Sequence, residues 1–160
     1  MAITTTWIRV LLTDLLHPDR VRVPLLGRDK PAILRELSRL MAERTGGEEE
    51  DILRAVEERE AVLSTGIGYG VAIPHGRATS VPDLSLVAGA TPVGIDFDSV
   101  DGVPVRLFFL LVGPENAAGQ HVKALSRIAR VVRRDQVRER LLQVTTPTEF
   151  IQTIVDAEER

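Results

Sequence analysis

The sequence predicts an α/β fold: a three-layer α/β/α sandwich with a mixed sheet of about four to five strands flanked by helices, in the order β-α-α-β-β-β-α-α-α. Segments with apolar residues at helical spacing stand towards both ends of the chain and enclose a run of strand-like segments. Val105 to Val112 (VRLFFLLV) is almost continuously apolar, which in a strand demands cover on both faces. No repeat, low-complexity tract or long linker divides the 160 residues, so they read as one domain, with residues 1–7 expected to be disordered.

The elements follow in order. Val21, Val23 and Leu25 alternate with Arg22 and Pro24, a short strand that Pro24 confines to an edge or a strand end. Ile33, Leu34, Leu37, Leu40 and Met41 recur at helical spacing between a capping Asp29 and Gly46-Gly47. A second helix runs from about Glu49 to Val62, its buried stripe formed by Ile52, Leu53, Val56 and Leu63, with Arg59 near the edge of that stripe. Three strands are expected at Val71 to His75, Leu84 to Thr91 and Val105 to Val112, separated by Gly, Pro and Asp. From about Ala117 to Arg134 a helix places His121, Leu125, Ile128, Ala129 and Val132 on one face. Asp135 is read as the cap of a short helix carrying Val137, Leu141 and Leu142. Thr146 and Glu149 fit a capping box for the last helix, with Pro147 at its first position.

Composition removes several classes of function. The absence of cysteine excludes disulfide frameworks, thiolate zinc sites and cysteine nucleophiles. A net charge of −3 argues against a general electrostatic grip on nucleic acid. No export signal or bilayer-length apolar run is visible, so a cytoplasmic protein that is not inserted in the membrane is expected. The three histidines, His17, His75 and His121, lack metal-ligand spacing; no metal and no cofactor are assigned. Asp96, Asp98 and Asp101 lack a full calcium loop and read as a polar hairpin connection. His17, before Pro18, reads as a turn residue.

The most informative stretch is Leu63 to Gly76, LSTGIGYGVAIPHG. Gly66, Gly68 and Gly70 allow sharp turns that gather backbone N–H groups into a concavity suited to an anion. The pattern matches no nucleotide motif, because no Gly-Lys-Ser/Thr follows and a strand comes next instead of a helix. Pro74 biases Ile73 towards extended geometry and holds His75 in one direction at a strand end. No serine has a nucleophile-elbow frame, which leaves histidine as the better nucleophile.

REAVLSTGIGYGVAIPHG resembles the active-site signature of the type-2 EIIA domains of the phosphoenolpyruvate-dependent phosphotransferase system (PTS), the mannitol, fructose and nitrogen-related branch. GIDFDSVDGVPVRLFFLLVGPE and QHVKALSRIARVVRRDQVRERLL follow the family's second half in order, so the likeness spans nearly the whole chain. The resemblance implies that His75 accepts a phosphoryl group on Nε2 from HPr or an HPr-like phosphocarrier of the nitrogen branch, with His121 and Arg59 stabilising it. The N–H groups of Gly66, Gly68 and Gly70 and the Thr65 hydroxyl are expected to donate to the same group. Tyr69 departs from the polar residue common at its position in the family.

On this reading the chain is a phosphotransferase component with a phosphohistidine intermediate, a freestanding nitrogen-related regulatory IIA. Its expected partners are the phosphocarrier and a IIB domain, transporter or sensor kinase. Two alternatives stay open: a fructose- or mannitol-specific IIA donating to a separate IIB, and a regulator that acts by contact without transferring phosphate.

Overall fold

The computed structural model describes residues 11–159, so the expectation for residues 1–7 lies outside the described residues. A short helix α1 (Leu12–Leu15) and a 3₁₀ turn (Pro18–Arg20) precede β1 (Val21–Arg22), α2 (Lys30–Thr45) and α3 (Glu49–Val62). Then come β2 (Gly66–Gly68), β3 (Val71–Ala72), β4 (His75–Arg77), β5 (Ser85–Ile95) and β6 (Val105–Gly113). Helices α4 (Ala118–Val132), α5 (Asp135–Gln143) and α6 (Pro147–Glu158) complete the described chain. No helix among the described residues is long and apolar enough to cross a membrane.

The sheet is mixed, with strand order β1-β5-β6-β3-β2, and β4 also pairs with β6. β5 and β6 run antiparallel, while β1 lies parallel to β5, and β3 and β4 lie parallel to β6. The apolar run of β6 explains itself by alternation. Phe108, Leu110 and Val112 pack with Ile33, Leu37, Ile52 and Val56 of α2 and α3. Leu107, Phe109 and Leu111 pack with Ile128, Leu141, Phe150 and Ile154 of α4 to α6. Each such buried side chain stabilises the fold by about 1.5–3 kcal/mol, so the three expected layers rest mainly on this one strand.

The helix ends match their sequence signals where the signal is local. The Asp29 carboxylate accepts from Ala32 N–H, and Gly46 closes α2 in the left-handed region at φ 79°. Thr146 and Glu149 form a capping box around Pro147. Asp135 does not cap α5: it is the helix's first residue, Arg134 holds the cap position, and the carboxylate pairs with Arg138 instead. Leu63, expected on the buried stripe of α3, is 64% exposed, because the helix ends at Val62 and Leu63 is already extended.

Two further departures fall around the glycines. The strand expected at Val71 to His75 is split into β3 and β4, since Pro74 has no N–H to give the ladder and pairing resumes at His75. The glycine segment is itself a strand: β2 pairs antiparallel with β3, giving six strands among the described residues. Tyr69 (φ 59°) and Gly70 (φ 76°) form the turn between them, a two-residue hairpin with both φ positive.

Candidate active site

His75 opens β4 opposite Leu111 of β6, so its side chain projects to the face covered by α4. Gly76 points the other way, towards α3. A Cβ at Gly76 would lie 3.1 Å from the Ala55 carbonyl carbon, so the bare backbone lets α3 press directly on β4. Arg77, two residues on from His75, returns to the His75 side. Arg59, in the last turn of α3, is held by Nη1 donating to Leu63 O at 2.7 Å, which also satisfies a carbonyl beyond the helix end. His121, at the end of the first turn of α4, is buried.

These side chains converge. The rings of His75 and His121 stand edge to face with centroids 5.5 Å apart. Arg59, His75, Arg77 and His121 line one open cleft of about 500 Å³, with Val122 and Leu125 on its apolar wall and Glu58 also at its edge. His75, His121 and Arg59 are thus brought together, the three residues that the family resemblance singled out. Arg77 was missed. Its signal was the strand period in His75-Gly76-Arg77, which sends the first and third side chains to one side once the segment is known to be a strand.

Thr65, Gly66, Gly68 and Gly70 are not among the lining of this cleft, and several of their polar groups are bonded within the hairpin and its neighbours. Both the N–H and the hydroxyl of Thr65 donate to the buried Glu60 carboxylate, at 2.9 and 2.5 Å. Gly66 N–H donates to Ser64 Oγ, and Gly70 O accepts from Arg106 and Leu107 N–H. Tyr69 N–H donates to Asp101 Oδ2, which ties the turn to the polar β5–β6 connection. Here the bonds of Thr65, Gly66 and Gly70 O serve the hairpin, and the positive φ of Tyr69 and Gly70 forms its turn.

The electrostatics define the state of both rings. His75 Nδ1 lies 2.9 Å from Ile73 O, and a carbonyl only accepts, so Nδ1 carries the proton and Nε2 keeps its lone pair. Burial holds the His75 pKa below its ordinary value, and Arg59 lowers it further, against the opposing effects of the Ile73 bond and Glu60. His121 is pushed down to about 4, by burial first and then by His75 and Arg77. At neutral pH both rings are uncharged, and the positive charge of the cleft belongs to the guanidinium groups.

A neutral nucleophilic nitrogen beside forked cationic donors in an open cleft suits the receipt of a phosphoryl group from another protein. Residues 14–157 match the sequence profile of the family described as phosphoenolpyruvate-dependent sugar phosphotransferase system, EIIA 2, and the chain belongs to that family of phosphotransfer components. Within it, the chain is 39% identical over 130 residues to the nitrogen regulatory protein of Bradyrhizobium diazoefficiens, which covers 81% of this chain and 85% of that one. The crystal structure of nitrogen regulatory protein IIA-Ntr from Neisseria meningitidis superposes with a TM-score of 0.84 at 31% identity, over 89% of this chain and 98% of that one. Escherichia coli enzyme IIA mannitol, solved in complex with phosphorylated enzyme IIB mannitol, shares the fold with a TM-score of 0.77 at 20% identity, over 88% and 97% of the two chains.

Proposed function

We propose that His75 accepts a phosphoryl group from an HPr-like phosphocarrier of the nitrogen branch and that the chain serves a nitrogen-related regulatory role in the cytoplasm. One observation carries the chemical part of this reading: the Nδ1 bond to Ile73 O leaves Nε2 as the basic nitrogen of a ring that lines an open cleft with Arg59 and Arg77. The regulatory part rests on the likeness to nitrogen regulatory proteins.

In the transfer, Nε2 attacks phosphorus as the bond to the donor's own histidine breaks, and Nδ1 keeps its proton on Ile73 O. No base is needed, because the attacking ring is already neutral. Arg59 and Arg77 meet the charge on the equatorial oxygens, and neutral His121 offers an N–H without adding a competing nucleophile of high basicity. Catalysis on this reading is positioning and charge stabilisation.

Incubation with phosphoenolpyruvate, enzyme I and the phosphocarrier tests it. The expected outcome is one acid-labile phosphate per chain, absent from His75→Ala. A wild-type chain that takes up no phosphate sinks the transfer reading and favours action by contact alone.

A further inference from the structure

A line of bonds reaches the ring of His75 from a largely buried ion pair that lies outside the cleft. Lys30 Nζ lies 2.9 Å from Glu60 Oε2, and Lys30 also donates to Phe97 O at 3.3 Å and stands 4.7 Å over the Phe97 ring. Glu60 takes both donors of Thr65, from N at 2.9 Å and from Oγ1 at 2.5 Å. Thr65 O then accepts from Ile73 N–H at 3.0 Å, and Ile73 O accepts from His75 Nδ1 at 2.9 Å. Glu60, Thr65 and Ile73 are each at least nine-tenths buried, so water does not compete for these bonds.

We infer that Glu60 is a positioning residue for phosphoryl acceptance, acting through Thr65 and the main chain of Ile73 to hold His75 in the Nδ1–H tautomer with Nε2 basic. The inference rests on His75 being the acceptor. An isolated histidine has no strong need for one tautomer, and here the choice is made by the direction of one carbonyl. The Ile73 main chain is anchored at its N–H by Thr65, Pro74 restricts the rotation that aims the Ile73 carbonyl, and Thr65 is fixed at two points by a carboxylate that also pairs with Lys30. When Nε2 takes the phosphoryl group the ring gains cationic character, the Nδ1–H donor strengthens, and the same carbonyl stabilises the product. A carboxylate present only to hold the hairpin would leave the ring indifferent to its loss.

The test reads the ring directly. In the full-length protein with ¹⁵N-labelled imidazoles, two-bond ¹H–¹⁵N spectra of neutral His75 report the ratio of the two tautomers without any phosphoryl donor. Wild type is expected to show the Nδ1–H form in large excess. Glu60→Gln and the near-isosteric Thr65→Val are expected to reduce that excess several-fold and to slow phosphate uptake by about 10- to 100-fold. Thr65→Ser, which keeps the hydroxyl, restores both, and the exposed His17 serves as an unchanged internal reference.

Should Glu60→Gln fail to fold, Thr65→Val carries the test alone. A folded variant with the wild-type tautomer ratio overturns the inference, whatever its rate. A wild-type chain that shows the expected ratio yet takes no phosphate sinks the acceptor reading instead, so the two failures are distinct.

Discussion

The glycine hairpin and the His75 cleft lie side by side in the sequence and use their polar groups in opposite ways. In the hairpin, Thr65 is spent on Glu60, Gly66 N–H on Ser64, Tyr69 N–H on Asp101 and Gly70 O on β6. In the cleft, His75 Nε2 is left basic by the Nδ1–H bond, and the Arg77 side chain, 46% exposed, pairs with an exposed carboxylate, Glu115. Such a surface ion pair is worth at most about 1 kcal/mol and yields readily to a phosphoryl group. The lesson is that a candidate site is marked by polar groups left available to a visitor. A glycine-rich loop whose groups are already paired is scaffold, however suggestive its composition.

Substitutions can break or sharpen that contrast. The largest effect is expected at Arg59→Ala. If His75 is the acceptor, loss of a forked cation beside it should lower the rate of phosphate uptake by about 100-fold or more, with stability changed by no more than about 1 kcal/mol. Equal loss of rate and of stability would mean that Arg59 belongs with the scaffold.

The next effect is a dependence of stability on pH that originates in the cleft. The His121 pKa falls from 6.5 to about 4 on folding, so the unfolded chain binds the proton more tightly. The resulting stability is fully present above pH 6.5 and is lost as the pH falls from there towards about 4, amounting to roughly 3 kcal/mol. Urea midpoints measured across this range should fall with pH, and His121→Gln should flatten the slope. An unchanged slope would refute the assignment to His121. Transfer should follow the neutral form of His75: flat above its ordinary pKa and declining only at lower pH.

The hairpin supplies the matching control. A Cβ at Gly66 would lie 2.4 Å from Ser99 Oγ and 3.0 Å from Ser99 Cα, so Gly66→Ala should cost about 1–3 kcal/mol in denaturant unfolding. Uptake at saturating donor should stay near wild type; a rate loss well beyond the fall in folded fraction would return the glycines to the chemistry. The smallest effect is expected at Tyr69→Asn. Asparagine suits φ 59° better, but the substitution removes the ring that lies 4.7 Å from the Arg138 guanidinium carbon, so the two changes should nearly cancel, within about 0.5 kcal/mol.

The same contrast shows where the fold was legible in the sequence. Helices α2 and α6 were readable because their signals are local: a capping carboxylate, a proline at the first turn, a glycine or capping box at the right offset. β6 was readable because burial on both faces writes one unbroken apolar word. β2 was not, since Gly-Ile-Gly carries no alternation and positive φ at Gly68 and Gly70 is equally at home in a turn or an anion nest. Only long-range pairing with β3, and of β3 with β6, decides between them. Of the site, His75, His121 and Arg59 were legible from spacing together with a family likeness. Arg77 stayed hidden because the break at Pro74, and hence the strand that aims it, depends on β6.

The missing side chain at Gly76 has one more consequence. Because β4 at Gly76 approaches the main chain and Cβ of Ala55 without a side chain between them, the strand bearing His75 and the helix bearing Arg59 share a single mechanical datum that no rotamer can shift. The side chains of Arg77, Val122 and Leu125, by contrast, form a rim that does not take part in this seat, so substitution there is expected to alter the mouth of the cleft and leave the seat in place.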